Sequence, residues 1–229
     1  MEQIKELQDY RKALYNIDMV EGFVNIGAMH NEAYNDLVDE QMKIMDDFLE
    51  SGESVNVIGE WHDVGATEFI ENGGAYPTHC VAGTKEAEYI KAIQERIYEK
   101  NENGIYLRDS AILKPNVRDY KKNSINGVLD QVRSDIRNMK NLKMVVFNGV
   151  CEDLCVEDFA RTYARYLDEI NRIVNLYVVA STVDTFDGLE HNREDWKKIA
   201  RAVMEQAGIK YVADYEELKE EEKKLGLYR

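Results

Sequence analysis

The sequence predicts an α/β fold, a three-layer α/β/α sandwich with a mainly parallel central sheet. Short apolar runs alternate along the chain with longer amphipathic segments, which is typical of successive βαβ units. The runs resemble strands that are buried on both faces, as the strands of a parallel sheet are. With 44% apolar residues in 229, the chain can bury a substantial core.

The first half of the chain predicts two strands and two helices. An apolar run within 12–20 ends near Asp18, and the periodic apolar residues of 31–51 predict the helix that follows. The β-branched run at 54–59 predicts the second strand and leaves Glu60 and His62 at its carboxyl end. Residues 84–99 are predicted to be a helix with Thr84 as its N-cap.

The second half repeats this alternation. Residues 143–150 predict a strand, 153–170 a helix, 174–183 a strand and 193–207 a helix that ends at Gly208. IKYVA predicts the last strand, and the tail EELKEEEKK is interpreted as a solvated helix end. Ligands of parallel sheets bind beyond the carboxyl ends of the strands, so the residues that follow the strands can converge on one crevice.

Composition excludes several classes of partner. A formal charge of −15 disfavours non-specific binding to nucleic acid or to anionic membranes, and a small neutral or cationic ligand fits better. The N-terminal segment lacks the apolar region of a signal peptide, and no apolar run approaches the length of a transmembrane helix. Three cysteines are too few for a disulfide framework and favour a reducing, cytoplasmic location. Without repeats or a linker, residues 1–229 are expected to form a single domain.

The segment NGVCEDLCVEDFART at 148–162 is the strongest chemical signal. A strand ends there, a turn follows, and Cys155 lies in the first turn of a helix, where the helix dipole and free N–H groups lower a thiol pKa. The same N–H groups can hold an oxyanion. From the residues alone, Cys155 could instead be a small buried hydrophobe, or Cys151 and Cys155 could bind a metal.

Carboxylates and histidines form a second cluster in the sequence. Glu60 and His62 are two apart on an extended segment, so their side chains point to the same side, and Glu68 and His79 follow. Imidazole and carboxylate ligands suit Zn²⁺, Mn²⁺ or Fe²⁺. Such residues also occur near one another without a metal.

Four segments resemble the cysteine hydrolases of the isochorismatase-like superfamily, which includes the nicotinamidases. The segments are IDMVEGF, WH followed by PTHCVAGT, KNSING and GVCEDLCV, and the resemblance spans roughly residues 14 to 212. It implies the three-layer fold and hydrolysis of a small carboxamide, with nicotinamide as the expected substrate, through a thioester. It also implies a homo-oligomer that needs a divalent metal and no organic cofactor.

The resemblance assigns the catalytic residues one by one. It implies that Cys155 is the nucleophile, that Asp18 in IDMVEGF is the general base, and that a lysine stabilises the thiolate by lowering the thiol pKa. Lys122 of KNSING matches the lysine best, with Lys114 the alternative and Lys121 also nearby. The backbone N–H groups of residues 151 and 155 would form the oxyanion hole, next to a cis peptide bond between residues 150 and 151.

The resemblance also assigns a metal site and a substrate pocket. His62 and His79 match metal ligands and Glu68 matches a variable one, whereas Glu60 stands where the family usually has Asp. Phe23 and Tyr76 fall where aromatic residues surround the substrate ring, although both could simply pack in the core. His30 and His191 match no functional position and are interpreted as surface or structural residues.

Other functions stay open within this resemblance. Isochorismatase itself lacks the nucleophilic cysteine, so Cys155 argues against that activity. A hydrolase of carbamoyl or ureido compounds, and a catalytically silent metal-binding member, are the alternatives.

Overall fold

The structure, a computed structural model, describes residues 6–100 and 104–228. The first five residues of the N-terminal segment considered above lie outside these ranges. Six parallel strands form one sheet in the order β3-β2-β1-β4-β5-β6. The strands are β1 (Lys12–Ile17), β2 (Ser54–Glu60), β3 (Val117–Lys122), β4 (Met144–Val150), β5 (Asn175–Asp184) and β6 (Ile209–Val212).

Helices cover both faces of this sheet. Neighbouring residues of β1 point to opposite faces, Leu14 towards one buried apolar cluster and Tyr15 towards the other. Helices α2, α3 and α7 pack into the first cluster, and α4, α5 and α6 into the second, so the predicted three-layer sandwich is confirmed. The α-helices of the described ranges are α1 (Glu21–Val24), α2 (Val38–Glu50), α3 (Lys91–Ile97), α4 (Asp130–Asn138), α5 (Glu157–Glu169), α6 (Arg193–Gln206) and α7 (Tyr215–Lys224).

Strand β3 and helix α4 were not predicted from the sequence. The strand reads VRDYKK, and only Val117, Tyr120 and Lys122 of it are buried, because it lies at the edge of the sheet and pairs only with β2. An edge strand of this kind carries no apolar run. Its register places Lys122 directly beside Glu60 at the carboxyl ends of β3 and β2.

The predicted helix at 84–99 is interrupted, so this prediction is wrong in its extent. Only Lys91–Ile97 is α-helical, after a short 3₁₀ turn at Lys85–Ala87, and the Thr84 side chain forms no cap. Between them the chain is extended and pairs with the segment after β1: the Ile90 N–H donates to Met19 O at 3.1 Å. This pairing between distant segments overrides the local helical pattern.

The charged tail is a packed helix rather than a solvated one. In α7, Leu218 and Glu222 are fully buried. Glu222 accepts hydrogen bonds from Lys12 Nζ at 2.8 Å and from Lys219 Nζ at 2.6 Å. Charge pairing therefore lets an acidic segment cover the sheet.

None of the helices in the described ranges is both long enough and apolar enough to cross a membrane.

Candidate active site

Four polar segments meet at the carboxyl edge of the sheet. Asp18 follows β1, Glu60 ends β2, Lys122 ends β3, and the turn that carries Cys155 follows β4. These strands are adjacent in the sheet, so their ends are close in space. Ligands of parallel sheets bind at this edge.

Asp18, Lys122 and Cys155 are in mutual contact and buried. Lys122 Nζ lies 2.9 Å from Asp18 Oδ2 and 3.7 Å from Cys155 Sγ. A backbone hydrogen bond from Glu60 N to Asp18 Oδ1, 3.0 Å long, fixes the orientation of that carboxylate. Lys121 instead pairs with Asp109, 2.5 Å away. Of the lysines considered from the sequence, the structure therefore brings Lys122 to the thiol.

Burial is the largest influence on the pKa values of the thiol and of the carboxylate in this cluster. Burial raises the pKa of Cys155 well above its usual value, and the negative charges of Asp18 and Glu60 add to this, while Lys122 lowers it. The expected depression of this pKa is therefore wrong, because burial outweighs the lysine. Burial also raises the pKa of Asp18, to about 6, against the opposing effect of Lys122. A carboxylate with a raised pKa is a better proton acceptor.

The turn after β4 presents the nucleophile. The peptide bond between Val150 and Cys151 is cis, as the resemblance implied. A π-helical turn, Glu152–Val156, carries Cys155 and leads directly into α5, so the thiol precedes that helix instead of lying in its first turn. The backbone N–H groups of Cys151 and Cys155 lie on this turn, and their role as an oxyanion hole stays a prediction.

Cys151 has a different environment from Cys155. Its Sγ is 3.2 Å from the Tyr34 hydroxyl. Among the described residues, neither cluster with metal-binding geometry contains Cys151. The structure therefore gives no support to a metal site formed by the two cysteines.

The predicted metal ligands converge on a second cluster beside the triad. Donor atoms of Glu60, His62, Glu68 and His79 all lie within 4.8 Å of one another. Glu60 Oε2 is 2.9 Å from His62 Nε2 and 2.7 Å from His79 Nε2, and Glu68 Oε1 is 3.1 Å from His62 Nε2. The other oxygen of Glu60, Oε1, accepts a hydrogen bond from Lys122 Nζ at 2.9 Å. Glu60 thus connects the two clusters.

The donor set fits a divalent cation. The Nδ1–H of His79 donates to Pro77 O at 2.7 Å, which leaves Nε2 directed into the cluster, and His62 Nδ1 is similarly close to Asn123 Oδ1, at 3.2 Å. Burial lowers the pKa of His62, but its carboxylate neighbours raise it overall, to about 10. The negative field that favours a proton there also favours a metal ion.

Arg108 supports this edge of the sheet, although no sequence motif points to this residue. Its guanidinium is buried and pairs with Asp119 of β3, 2.6 Å away. It also donates to the carbonyl oxygens of Gly59 and Glu60, at 3.2 and 3.1 Å. Arg108 therefore ties the ends of β2 and β3, and so Glu60 and Lys122, into one unit.

His191 also has a structural role that no motif revealed. Its Nε2 is 2.7 Å from Asp153 Oδ2, on the turn that carries Cys155. The ring stacks between Phe186, at 3.9 Å, and Trp196, at 5.1 Å between centroids. The loop between β5 and α6 is thereby attached to the nucleophile turn.

A narrow slot of about 20 Å³ leads to the thiol. Phe23 and Tyr76, the predicted substrate-binding residues, both line it, and their rings lie 5.6 and 6.3 Å from that of His79. The slot is lined by Phe23, Glu60, Tyr76, His79, Leu154 and Cys155, among others.

Comparison with known proteins identifies the fold. No protein-family profile matches the chain. Nicotinamidase 1 of Arabidopsis thaliana is 28% identical over 205 residues, which cover 83% of this chain and 76% of that protein. The crystal structure of a pyrazinamidase of Pyrococcus horikoshii in complex with zinc superposes with a TM-score of 0.65 at 22% identity, over 89% of this chain and 99% of that one.

An isochorismatase-like hydrolase from Alkaliphilus metalliredigens superposes with a TM-score of 0.60 at 16% identity, over 92% of this chain and 98% of that one. With its six-stranded parallel sheet flanked by helices, the present chain has the isochorismatase-like hydrolase fold. Within this fold it is similar to the nicotinamidases and pyrazinamidases.

Proposed function

We propose that this protein is a cysteine-dependent amidohydrolase that cleaves a small aromatic carboxamide, with nicotinamide converted to nicotinate and ammonia. The buried contact of Asp18, Lys122 and Cys155 at the end of an aromatic slot carries the proposal. The similarity to a plant nicotinamidase supports the choice of substrate.

The reaction begins with the thiol of Cys155. Asp18 accepts the thiol proton as Sγ attacks the amide carbonyl carbon, and Lys122 balances the negative charge of this pair. The backbone N–H groups of Cys151 and Cys155 hold the tetrahedral oxyanion. Asp18 then gives its proton to the departing amine, and ammonia leaves behind a thioester.

Water completes the cycle. Asp18 accepts a proton from the water that attacks the thioester carbonyl, the C–S bond breaks to release the carboxylic acid, and Asp18 returns the proton to Cys155 Sγ, which restores the thiol. Lys122 stays charged throughout, because Asp18, Cys155 and Glu60 raise its pKa well above the usual value even though burial lowers it.

A divalent cation has a place beside the slot. The residues that would hold it are Glu60, His62, Glu68 and His79, the donor set described above. When bound, it would supply a Lewis-acidic centre that can interact with a ring nitrogen of the substrate. Phe23 and Tyr76 would hold the flat ring between them and the metal ligands.

The test is ammonia release from nicotinamide by the purified protein and its Cys155→Ala variant. We expect the variant to lose activity by about 10⁴-fold, because no other group can form the thioester. Cys80→Ala, which removes a buried thiol outside the triad, serves as the matched control and should retain activity. A trapped acyl-enzyme on Cys155, seen by mass spectrometry, would identify the intermediate directly.

Two results would contradict the proposal. Activity that survives Cys155→Ala would point to a contaminating amidase or to another nucleophile. No ammonia release by the metal-loaded protein, tested with zinc, manganese and iron in turn, would remove nicotinamide as a substrate.

A further inference from the structure

We propose that the site also takes carboxamides longer than one aromatic ring, with the amide in the slot and a second, mostly apolar group in the cavity outside it. This cavity, here called the vestibule, is lined by Ala28, Ala33, Tyr34, Pro77, Phe186 and Arg193, among others. The inference rests on the proposed function, because the same thiol would cleave the longer amides.

The two spaces are continuous and very different in size. The slot measures about 20 Å³ and the vestibule about 760 Å³. Phe23, Tyr76 and Leu154 line both, so a ligand can extend from one into the other. Pockets for small molecules usually measure about 300–1,000 Å³, so the vestibule has room for a group beyond the one that enters the slot.

The wall of the vestibule is suited to an apolar or aromatic group. Tyr34, Tyr76, Pro77 and Phe186 contribute rings to its lining, and Ala28, Ala33 and Leu154 contribute aliphatic side chains. Planar groups pack well against such walls. The predicted chemistry of the extension is therefore a second ring or a short apolar chain.

Arg193 supplies a hydrogen-bond donor at the far side. Its Nε donates to Asp184 Oδ1 at 2.8 Å and its Nη2 donates to Asp184 Oδ2. Its Nη1 is 3.9 Å from Glu194 Oε1, beyond hydrogen-bond distance, and so keeps capacity for an acceptor on a ligand.

The charge around Arg193 selects a neutral acceptor. Asp184 pairs with both Arg193 and Lys197, and Asp187 is a second carboxylate on the wall, so the two cations are matched by two acids. A carboxylate or phosphate on the ligand would face these acids within a protein of net charge −15. The extension is therefore expected to end in an ether or a carbonyl oxygen.

The wall is held in place independently of any ligand. Phe186 stacks on His191 with 3.9 Å between ring centroids, and His191 Nε2 bonds to Asp153 Oδ2 at 2.7 Å. Asp153 lies two residues before Cys155, so the wall is fixed relative to the nucleophile. A preformed surface binds a ligand without a cost for ordering it.

The experiment compares nicotinamide with its 5-phenyl and 6-phenyl derivatives and with the corresponding 4-methoxyphenyl compounds. We expect at least one phenyl derivative to be hydrolysed with a KM about tenfold lower than that of nicotinamide, from the apolar area it buries. The methoxy oxygen should lower KM further, by roughly fivefold, through its hydrogen bond to Arg193.

Two variants assign these effects to the vestibule. Ala33→Phe should narrow the vestibule and reduce the advantage of the phenyl derivative over nicotinamide, whereas Ala202→Phe, at an exposed position on α6, should leave the ratio of the two KM values unchanged. Arg193→Met should abolish only the additional effect of the methoxy group. Because each readout is a ratio between two substrates, a general loss of activity in a variant does not imitate the result.

The outcomes separate this inference from the function on which it rests. If nicotinamide is hydrolysed through Cys155 but no phenyl derivative binds better, or Ala33→Phe leaves the ratio unchanged, the inference is wrong and the proposed function stands. If none of the amides is hydrolysed, both are wrong.

Discussion

Glu60 carries two roles through its two carboxylate oxygens. Oε1 accepts from Lys122, and Oε2 contacts His62 and His79. Burial alone would raise its pKa, but Lys122 and the histidines lower the pKa well below its usual value, so the carboxylate stays charged. Glu60, at a position where the resembling family usually has Asp, thus contacts both clusters through one carboxylate.

Two substitutions of Glu60 should therefore weaken metal binding to different extents. For Glu60→Gln, we expect zinc affinity to fall by at least about 100-fold, because a charged ligand is lost. Glu60→Asp keeps the charge but is one methylene shorter, and should cost roughly tenfold. Competition with a chromophoric chelator measures both values. Glu71→Gln, which changes an exposed acid in the segment after β2, is the control. An unchanged zinc affinity of Glu60→Gln would exclude Glu60 as a ligand.

At the scale of elements, the turn after β4 depends on one close backbone approach. Gly149 has φ of +122°, and a Cβ there would lie 2.0 Å from the carbonyl oxygen of Ile17 on β1. Only glycine allows β1 and β4 to approach this closely where Asp18 and the nucleophile turn begin. The glycine therefore sets the distance between the base and the thiol.

Gly149→Ala should both destabilise the protein and impair catalysis. We expect the free energy of unfolding, measured in urea, to fall by about 3 kcal/mol. The alanine would have a strained φ, and the backbone near Ile17 would also have to move. Gly52→Ala separates the two effects, because Gly52 also has a positive φ but has open space around it, and should cost only about 1 kcal/mol. Equal losses in the two variants would show that the approach to Ile17 does not matter.

The strands that the sequence predicted share a local signal, and the strand that it missed does not. Strands β1, β2, β4, β5 and β6 are apolar runs, whereas β3 is an edge strand without one. The helix predicted at 84–99 is broken by backbone pairing with the segment after β1, which no local pattern records. Local periodicity thus predicts elements whose pattern is set by burial in the core. It misses features that depend on pairing between segments distant in the sequence.

The same division applies to the candidate site. The resemblance named Asp18 and Cys155 and favoured Lys122 over Lys114, but only the register of β3 shows that Lys122 lies beside Glu60. Arg108 could not be found from the sequence, because its role comes from carbonyl groups that only the folded chain brings together. The raised pKa of the thiol likewise depends on burial, which no spacing of residues reveals.

At the scale of the whole molecule, the net charge of −15 opposes folding through mutual repulsion. Salt screens this repulsion, and it also screens the ion pairs that favour folding. In this protein the screening of the ion pairs is the weaker of the two effects. Exposed pairs such as Lys198 with Asp195 are worth little, and pairs that are fully buried, such as Lys122 with Asp18 and Lys12 with Glu222, are screened much less.

Salt should therefore stabilise this protein. We expect the melting temperature to rise between about 10 mM and 300 mM sodium chloride, by roughly 2–4 °C for each kcal/mol of repulsion that is relieved. Chloride rather than sulfate keeps preferential exclusion small. The KM for nicotinamide, which is neutral, should stay constant over the same range, whereas an anionic amide should bind better as salt screens the protein's charge. A melting temperature that falls with salt would mean that surface ion pairs outweigh the net repulsion.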